Sequence, residues 1–154
     1  MRYDALTWLP DPKLRKRAET LDAVSRAALA EALCGNMSTH VVYCVRAAEY
    51  SEHADPTAPG AIPIGREMPG DEIARHIRPD GTLPFLFDGL RALVPLPPIA
   101  GAILRLADGT RTVADIEAAL VSRGTDPAAF ARGWRATFTA LSRVNRLLLA
   151  APSS

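Results

Sequence analysis

The chain has 154 residues, 48% of them hydrophobic, and its 18 basic and 17 acidic residues give a formal net charge of +1. This composition suffices for a packed core and excludes a disordered chain, and the balanced charge disfavours nucleic acid as a partner. The two cysteines are too few for a disulfide framework. The N-terminus does not have the apolar run of a signal peptide, and no apolar run reaches the ~20 residues that span a bilayer. We therefore expect a cytoplasmic protein of bacterial type that does not contact membranes.

A long helix is predicted near the start of the chain. Asp11 supplies a capping acceptor, Pro12 suits the first helical position and Gly35 suits the end. Apolar residues recur between them at helical spacing, at Leu14, Ala18, Leu21, Ala28, Leu29 and Leu33. We therefore expect one amphipathic helix over residues 11–35. Its basic run KLRKR (residues 13–17) is interpreted as a solvated face, with an acidic partner as the alternative.

A strand is predicted directly after this helix. In THVVYCVRA (Thr39–Ala47), β-branched and aromatic residues alternate between two faces. Helix and strand together form an expected N-terminal arm over residues 1–48. Because an unpaired strand edge invites pairing, the strand Thr39–Arg46 would need a partner, either the hairpin described below or a second chain in a homodimer.

A linker rich in proline and glycine is predicted over residues 49–81. From residue 49 to residue 70 neither helical nor strand periodicity is present, so we expect a loop lying on a surface. The stretch GDEIARHI (residues 70–77) predicts a short helix with Asp71 as its cap.

The last part of the chain, residues 82–154, predicts a hairpin followed by three helices. Two strand-like runs flank Asp88-Gly89, a strong hairpin signal that pairs Phe87 with Leu90. Helices follow Pro97-Pro98, Thr112 and Asp126, and the third has an apolar aromatic stripe of Phe130, Trp134, Phe138 and Leu141. NRLLLA (residues 145–150) predicts a closing strand that returns against the hairpin. We therefore expect an α+β chain in which the arm precedes a winged-helix domain.

The junction between the first two of these helices is expected to be structural rather than reactive. Asp108 and Gly109 end one helix, because glycine adopts positive φ at little steric cost. Thr112 can cap the next helix with its hydroxyl, and Asp115 three residues later stands where a capping box has glutamate or glutamine. Arg111 belongs to the same turn and is expected to help set the angle between the helices.

The sequence contains no recognisable catalytic or metal-binding motif. Cys34, His40, Cys44 and His53 could suggest zinc, but His40 and Cys44 would lie roughly 13 Å apart on an extended strand at ~3.3 Å per residue, too far to share one ion. No nucleophile elbow and no phosphate-binding glycine motif is present. We therefore expect no catalytic residue, no metal and no cofactor in this chain.

A DNA-binding regulator is the third hypothesis for the chain. From residue 80 onward eight arginines face six acidic residues, a net charge of +2, and Arg132, Arg135 and Arg143 fall on the helix that enters the major groove in DNA-binding winged helices. A net charge of +2 is a weak electrostatic footprint. DNA binding would require Arg132 and Arg135 to be exposed together on a flat basic face.

The segment ILRLADGTRTVADIEAAL (residues 103–120) resembles the PqqD-like family of winged-helix peptide-recognition domains. Its pattern Leu-x-Asp-Gly-x-Arg-Thr-x-x-x-Ile matches the family closely, and the preceding strands over Leu83–Leu96 also fit. The resemblance implies that a leader peptide adds as a strand and packs against the third helix. The implied groove comprises Leu90, Ala92, Val94, Phe130 and Trp134. The long N-terminal arm departs from the minimal family.

A second resemblance covers more of the chain. The pattern Leu-Ala-Glu-x-Leu-x-Gly-x-Met-x-x-His-x-x-Tyr over Leu29–Tyr43 is similar to the segment that follows the catalytic core in certain bacterial class I S-adenosylmethionine-dependent methyltransferases. The cofactor-binding half is missing, so methyl transfer would require a partner that supplies it. We therefore expect a non-catalytic accessory or recognition module that binds a protein or peptide, or alternatively a leader-peptide-binding partner of a peptide-modifying enzyme.

Overall fold

A computed structural model describes Leu9 and residues 11–34, 55–87 and 90–150. These residues form a mixed α+β structure with six helices and two small antiparallel sheets, which confirms the α+β prediction. The elements in chain order are α1 (Pro12–Glu19), α2 (Ala23–Cys34), β1 (Ile62–Gly65), α3 (Gly70–Arg75), β2 (Thr82–Phe87), β3 (Leu90–Pro95), α4 (Ala100–Leu106), α5 (Val113–Val121), α6 (Pro127–Arg143) and β4 (Leu147–Ala150).

The N-terminal helical segment is two helices, so the prediction of one helix over residues 11–35 is wrong. The carboxylate of Asp11 accepts a hydrogen bond from the Lys13 N–H (2.7 Å) at the start of α1, as expected. The carboxylate of Asp22 accepts from the backbone N–H of Val24 (2.9 Å) and Ser25 (3.0 Å) and so starts α2 anew. The apolar spacing continues through this break, which is why periodicity alone missed it.

The pair α1–α2 has a small apolar cluster of its own, formed by Leu9, Ala18 and Leu29. The predicted basic face of α1, residues 13–17, is exposed throughout. Four apolar side chains of the two helices and the turn between them are also exposed: Leu14 (48%), Leu21 (36%), Val24 (79%) and Leu33 (43%). The predicted strand Thr39–Ala47 lies outside the described residues.

The first sheet pairs β1 with β4 and corrects two predictions. Ile62–Gly65 form a strand where a surface loop was expected, and Ala61 and Pro63 are buried. The last strand, β4, forms as predicted, but it pairs antiparallel with β1, with Ile64 opposite Leu148, and not with the hairpin. The local sequence cannot specify this partner, because the two strands are more than eighty residues apart.

The second sheet is the predicted hairpin. β2 and β3 pair antiparallel over their whole length, and Phe87 lies opposite Leu90 as predicted. The residues of the turn itself, Asp88 and Gly89, lie outside the described part of the chain. Leu83 and Val94 face each other in the register and are both buried at 5% exposure, so one face of the hairpin covers the core.

The main core is built where α3, α4, α5 and α6 meet the two sheets. Ile103, Leu104 and Ile116 are fully buried, as are Leu141 of α6 and Leu147 of β4. The aromatic stripe of α6 packs largely as predicted, with Phe130 and Trp134 buried and Phe138 partly buried against the same cluster. Among the described helices, none combines the length and apolar character that crossing a membrane requires.

The start of α3 differs from the sequence interpretation, and the end of α6 has a specific geometry. The helix α3 forms where predicted, but Pro69 occupies the capping position without a side-chain hydrogen bond, and Asp71 instead pairs with Arg75 at 2.5 Å. Helix α6 ends at Arg143, and Asn145, just beyond its end, has a φ of +58° that asparagine tolerates better than most residues. The next N–H, of Arg146, donates to the carbonyl of Leu141 (2.8 Å) and so closes the helix end.

Candidate functional site

The junction between α4 and α5 is held by the carboxylate of Asp108. Its Oδ1 accepts hydrogen bonds from the Thr110 N–H (2.9 Å), the Thr110 hydroxyl (2.7 Å) and the Arg111 N–H (3.0 Å). Its Oδ2 lies 3.4 Å from the Arg111 guanidinium. Gly109 has a φ of +81°, the left-handed conformation that favours glycine. One carboxylate and one glycine thus fix the turn.

These contacts also fix the charge of the junction. The hydrogen bond from the Thr110 hydroxyl, helped by the backbone donors and Arg111, lowers the pKa of Asp108 to about 2. The carboxylate is therefore ionised near neutral pH. It is suited to accept hydrogen bonds in the turn and is too weak a base for proton abstraction.

Helix α5 begins with a complete capping box. The hydroxyl of Thr112 accepts from the Asp115 N–H (3.1 Å), and the carboxylate of Asp115 accepts from the Thr112 N–H (2.9 Å). Aspartate here makes the reciprocal bond that glutamate or glutamine usually makes. The hydrogen bonds from Thr112 also lower the pKa of Asp115.

The junction forms one wall of a cavity that the sequence did not reveal. The cavity has a volume of about 320 Å³ and lies between the α4–α5 junction and the turn from β1 to α3. Apolar lining comes from Ile64, Met68, Pro69 and Ala107. A β-carbon on Gly65 would lie 2.4 Å from the Met68 carbonyl oxygen, so the tight β1–α3 turn requires glycine there. That close approach depends on the folded turn and has no local sequence signature.

The charged groups at this cavity are balanced. Glu67 has a φ of +67° and its carboxylate pairs with the Arg146 guanidinium, which joins the β1–α3 turn to the turn before β4. The backbone N–H of Arg66 also donates to the carbonyl of Arg146 (3.0 Å). The second carboxylate of the lining, Asp108, is paired with Arg111. The arrangement therefore stabilises the fold without leaving an uncompensated carboxylate in the cavity.

The residues of the expected peptide groove lie in two different environments. Val94, Phe130 and Trp134 are core residues, with exposures of 5%, 2% and 3%. Leu90 and Ala92 lie in β3, on the strand that continues to Val94. Three of the five residues are thus covered by protein, and a ligand touching them would have to displace part of the chain.

The segment that covers Trp134 comes from the predicted linker. The indole N–H of Trp134 donates to the carbonyl of Pro56 at 2.5 Å. The ring also packs against Phe138, with centroids 5.6 Å apart. Ala58 of the same segment packs against the core cluster. The aromatic stripe of α6 therefore faces the interior and the 55–58 segment.

Within the part of the chain that the structure describes, the hairpin has an edge that is open for pairing. Among the described residues, no third strand pairs with β2 or β3. The N–H of Leu96 donates to the carbonyl of Gly81 (2.9 Å), which places these two residues in a hydrogen-bonded pair just beyond the ends of the strands. In an antiparallel ladder such pairs alternate with pairs whose backbone N–H and carbonyl groups point away from the partner strand, toward the edges of the sheet. These outward pairs are Thr82–Pro95, Pro84–Leu93 and Leu86–Arg91.

The two edges of the hairpin are not equivalent. On β2, Pro84 has no N–H, and the carbonyl of Thr82 already accepts from the Arg78 N–H (2.8 Å). On β3, Arg91 and Leu93 each direct both an N–H and a carbonyl outward. A backbone ladder can therefore be extended on β3 far better than on β2. The exposed face beside it contains Leu86 (62%) and Leu93 (54%).

The arginines relevant to DNA binding are on the surface of α6. Arg132 and Arg135 are both exposed, as that hypothesis requires. Asp55 lies close enough to Arg135 for the arginine to contribute to lowering the pKa of the aspartate, after the larger effect of its hydrogen bonds with Thr57. A carboxylate thus stands beside the arginine pair, which weakens a basic face.

No metal site is found in the described part of the chain, where no group of three histidine, cysteine, aspartate or glutamate side chains is placed to hold an ion. His40, Cys44 and His53, which entered the zinc hypothesis, lie outside the described residues. His76 is exposed at the end of α3, with its Nδ1 2.8 Å from the carbonyl oxygen of Glu72.

Comparison with models of known protein families gives no match, and comparison with curated proteins gives none either.

Proposed function

We propose that this chain is a non-catalytic recognition module that binds a protein partner by taking an extended segment of it along β3. The proposed setting is a cytoplasmic PqqD-like winged-helix domain over residues 82–154, accessory to a methyltransferase-type or peptide-modifying enzyme. The observation that supports this function best is the open edge of β3. There Arg91 and Leu93 offer four backbone groups to a pairing strand.

The geometry favours strand addition over insertion into the core. An extended peptide gains affinity from main-chain hydrogen bonds at a sheet edge, and β3 supplies these without disturbing the core. Phe130 and Trp134 are not ligand contacts in this proposal, since both are buried and Trp134 is bonded to Pro56. In this proposal Leu90, Ala92 and Val94 hold β3 against β2 through the hairpin ladder, and their backbone groups are not offered to the ligand.

The test replaces Leu93 by proline in the full chain. Leu93→Pro removes one outward N–H, and that N–H is not used in the β2–β3 ladder, so the hairpin should still form. The probe is a peptide selected on the wild-type chain from a displayed library of random nine-residue peptides. Because a hydrogen bond contributes about 0.5–1.5 kcal/mol net, we expect the dissociation constant to rise up to about tenfold.

Two matched variants separate the backbone from the side chain. Leu93→Ala keeps the N–H and removes the same leucine side chain, so the loss in Leu93→Pro must exceed the loss in Leu93→Ala. Leu86→Pro makes the same change at an outward position of β2, and we expect it to bind like Leu86→Ala. Circular dichroism checks that each variant is folded. Equal binding by Leu93→Pro and Leu93→Ala would overturn the proposal.

A docking role for α1–α2 is the second candidate, and it is compatible with the accessory setting. Leu14, Leu21, Val24 and Leu33 are exposed to 36–79%, which is unusual for a helical pair with so small a cluster of its own. Attachment of such a pair to a catalytic chain would bury these side chains. Size-exclusion chromatography of the chain with and without a candidate catalytic chain tests this, with Val24→Ser, at the most exposed of the four residues, as the weakening variant.

A further inference from the structure

We propose that the segment bound along β3 is antiparallel and has the pattern apolar-x-acidic, with its acidic residue opposite Arg91 and its apolar residue opposite Leu93. This inference rests on the proposed function, because it specifies the ligand of the same edge. It follows from the side chains that stand on the outward pairs of the hairpin.

The acidic preference comes from Arg91. Its side chain is exposed, and none of the ion pairs in the described part of the chain includes it. Across the hairpin it faces Leu86, which is 62% exposed, so no charge on β2 compensates it. A strand added along the edge of β3 that faces away from β2 places one residue directly opposite Arg91, with its side chain on the same face of the sheet. A carboxylate at that position meets the guanidinium of Arg91, which is the one charged group that the described strands place in this cross-strand row.

The apolar preference comes from Leu93. It is 54% exposed and lies opposite Pro84, so the cross-strand row at this level is apolar on both described strands. An apolar side chain added opposite Leu93 would extend the row and remove leucine surface from water. A charged or strongly polar residue there would lose hydration without gaining a partner.

The spacing and direction follow from the register. Arg91 and Leu93 are two positions apart, and their backbone groups both point toward the added strand. In an antiparallel pair the residue opposite Leu93 comes first in the ligand and the residue opposite Arg91 comes two positions later. The antiparallel arrangement lets both outward residues form closed hydrogen-bonded pairs, and such ladders are slightly more stable than parallel ones. The ligand therefore reads apolar-x-acidic from its N-terminus.

The experiment uses the full chain and an array of synthetic nine-residue peptides with threonine and valine flanks. Two central positions separated by one residue are varied through all amino acids, and binding is measured by fluorescence polarisation. We expect the tightest peptides to have leucine, isoleucine or valine first and aspartate or glutamate second. Because exposed ion pairs contribute modestly, changing the acidic residue to its amide should weaken binding about 2–5-fold, and the difference should shrink at high salt.

The decisive variant is Arg91→Glu, with Arg123→Glu as a matched control. Arg123 is also an exposed arginine, but it lies in the turn after α5. Arg91→Glu should reverse the preference at the second position to lysine or arginine, whereas Arg123→Glu should leave it acidic. An unchanged preference in Arg91→Glu, indifference at that position, or a preference for the reversed pattern acidic-x-apolar would each overturn the inference.

The two proposals fail in different ways in this experiment. Peptides that bind, and that lose binding in Leu93→Pro beyond Leu93→Ala, but show no acidic preference contradict the ligand pattern alone. Binding that is indifferent to proline at Leu93 contradicts strand addition itself, and with it the ligand pattern. Tight binding of a labelled DNA duplex in place of peptides, abolished by changing Arg132 and Arg135, would contradict both.

Discussion

The contact between α3 and α4 makes Gly70 the position at which one methyl group should matter most. A β-carbon on Gly70 would lie 2.4 Å from the carbonyl oxygen of Leu104 and 2.5 Å from that of Ala107. Both atoms belong to the backbone at the end of α4, so no side-chain rotation can relieve the overlap. Gly70→Ala therefore requires α3 to move away from α4, which also disturbs the buried Ile73.

The magnitude follows from two opposing effects. Overpacking of this kind costs about 1–3 kcal/mol, while replacing glycine by alanine in a helix contributes about 0.5–1 kcal/mol. Because the overlap is severe and involves backbone atoms, we expect a cost near the upper end of that range. The free energy of unfolding should therefore fall by about 2 kcal/mol. For a chain of this size that lowers the melting temperature by roughly 4–8 °C.

The matched control is Gly101→Ala near the start of α4. A β-carbon on Gly101 would meet only the Ile77 Cδ1 at 3.8 Å, an ordinary contact. This variant should gain about 0.5–1 kcal/mol from helix propensity. Urea unfolding at pH 7, followed by far-UV circular dichroism, measures both free energies of unfolding. A Gly70→Ala protein as stable as the wild type would refute the packing of α3 on α4 described above.

Three further substitutions test the junction and the aromatic contact. Thr112→Ala removes the cap of α5 and should cost about 1 kcal/mol in urea unfolding; an unchanged midpoint would show that the capping box contributes nothing. Asp108→Asn should cost about 1 kcal/mol at pH 7 after discounting for solvent exposure. Because the folded-state pKa is depressed to about 2 from 3.8, this wild-type advantage is present above about pH 4 and lost toward pH 2; thermal unfolding across that range checks it, and an advantage that persists at pH 2 contradicts it. Trp134→Phe removes the hydrogen bond to Pro56 and should cost about 1–2 kcal/mol; urea unfolding measures it, and wild-type stability would mean that the 55–58 segment is not held by the indole.

The parts of the fold that the sequence predicted are those with local causes. Asp11 with Pro12, Thr112 with Asp115, and Asp126 with Pro127 start helices through bonds that span only two or three residues. The hairpin follows from a two-residue turn between strand-like runs, and its register was predicted as observed. Each of these signals is complete within a few residues, so reading them requires no knowledge of the tertiary structure.

The parts that were missed depend on contacts between distant segments. β1 has only four residues, one of them Pro63, and its strand character comes from pairing with β4. The cavity is formed by the approach of the β1–α3 turn to the α4–α5 junction, and neither segment marks it alone. The break between α1 and α2 is different, because Asp22 is a local cap that the apolar spacing concealed. The burial of Trp134 under Pro56 likewise needs the folded chain.

The most direct test of the proposed function is backbone amide hydrogen exchange in β3, measured by NMR with and without the selected peptide. In the free protein, the amides of Arg91 and Leu93 should exchange quickly, while those of Ala92 and Val94, which belong to the β2–β3 ladder, should be protected. Saturating peptide should slow exchange at Arg91 and Leu93 and leave the ladder amides nearly unchanged. Protection of Arg91 and Leu93 in the free protein, or no change when the peptide is bound, would contradict recognition at this edge.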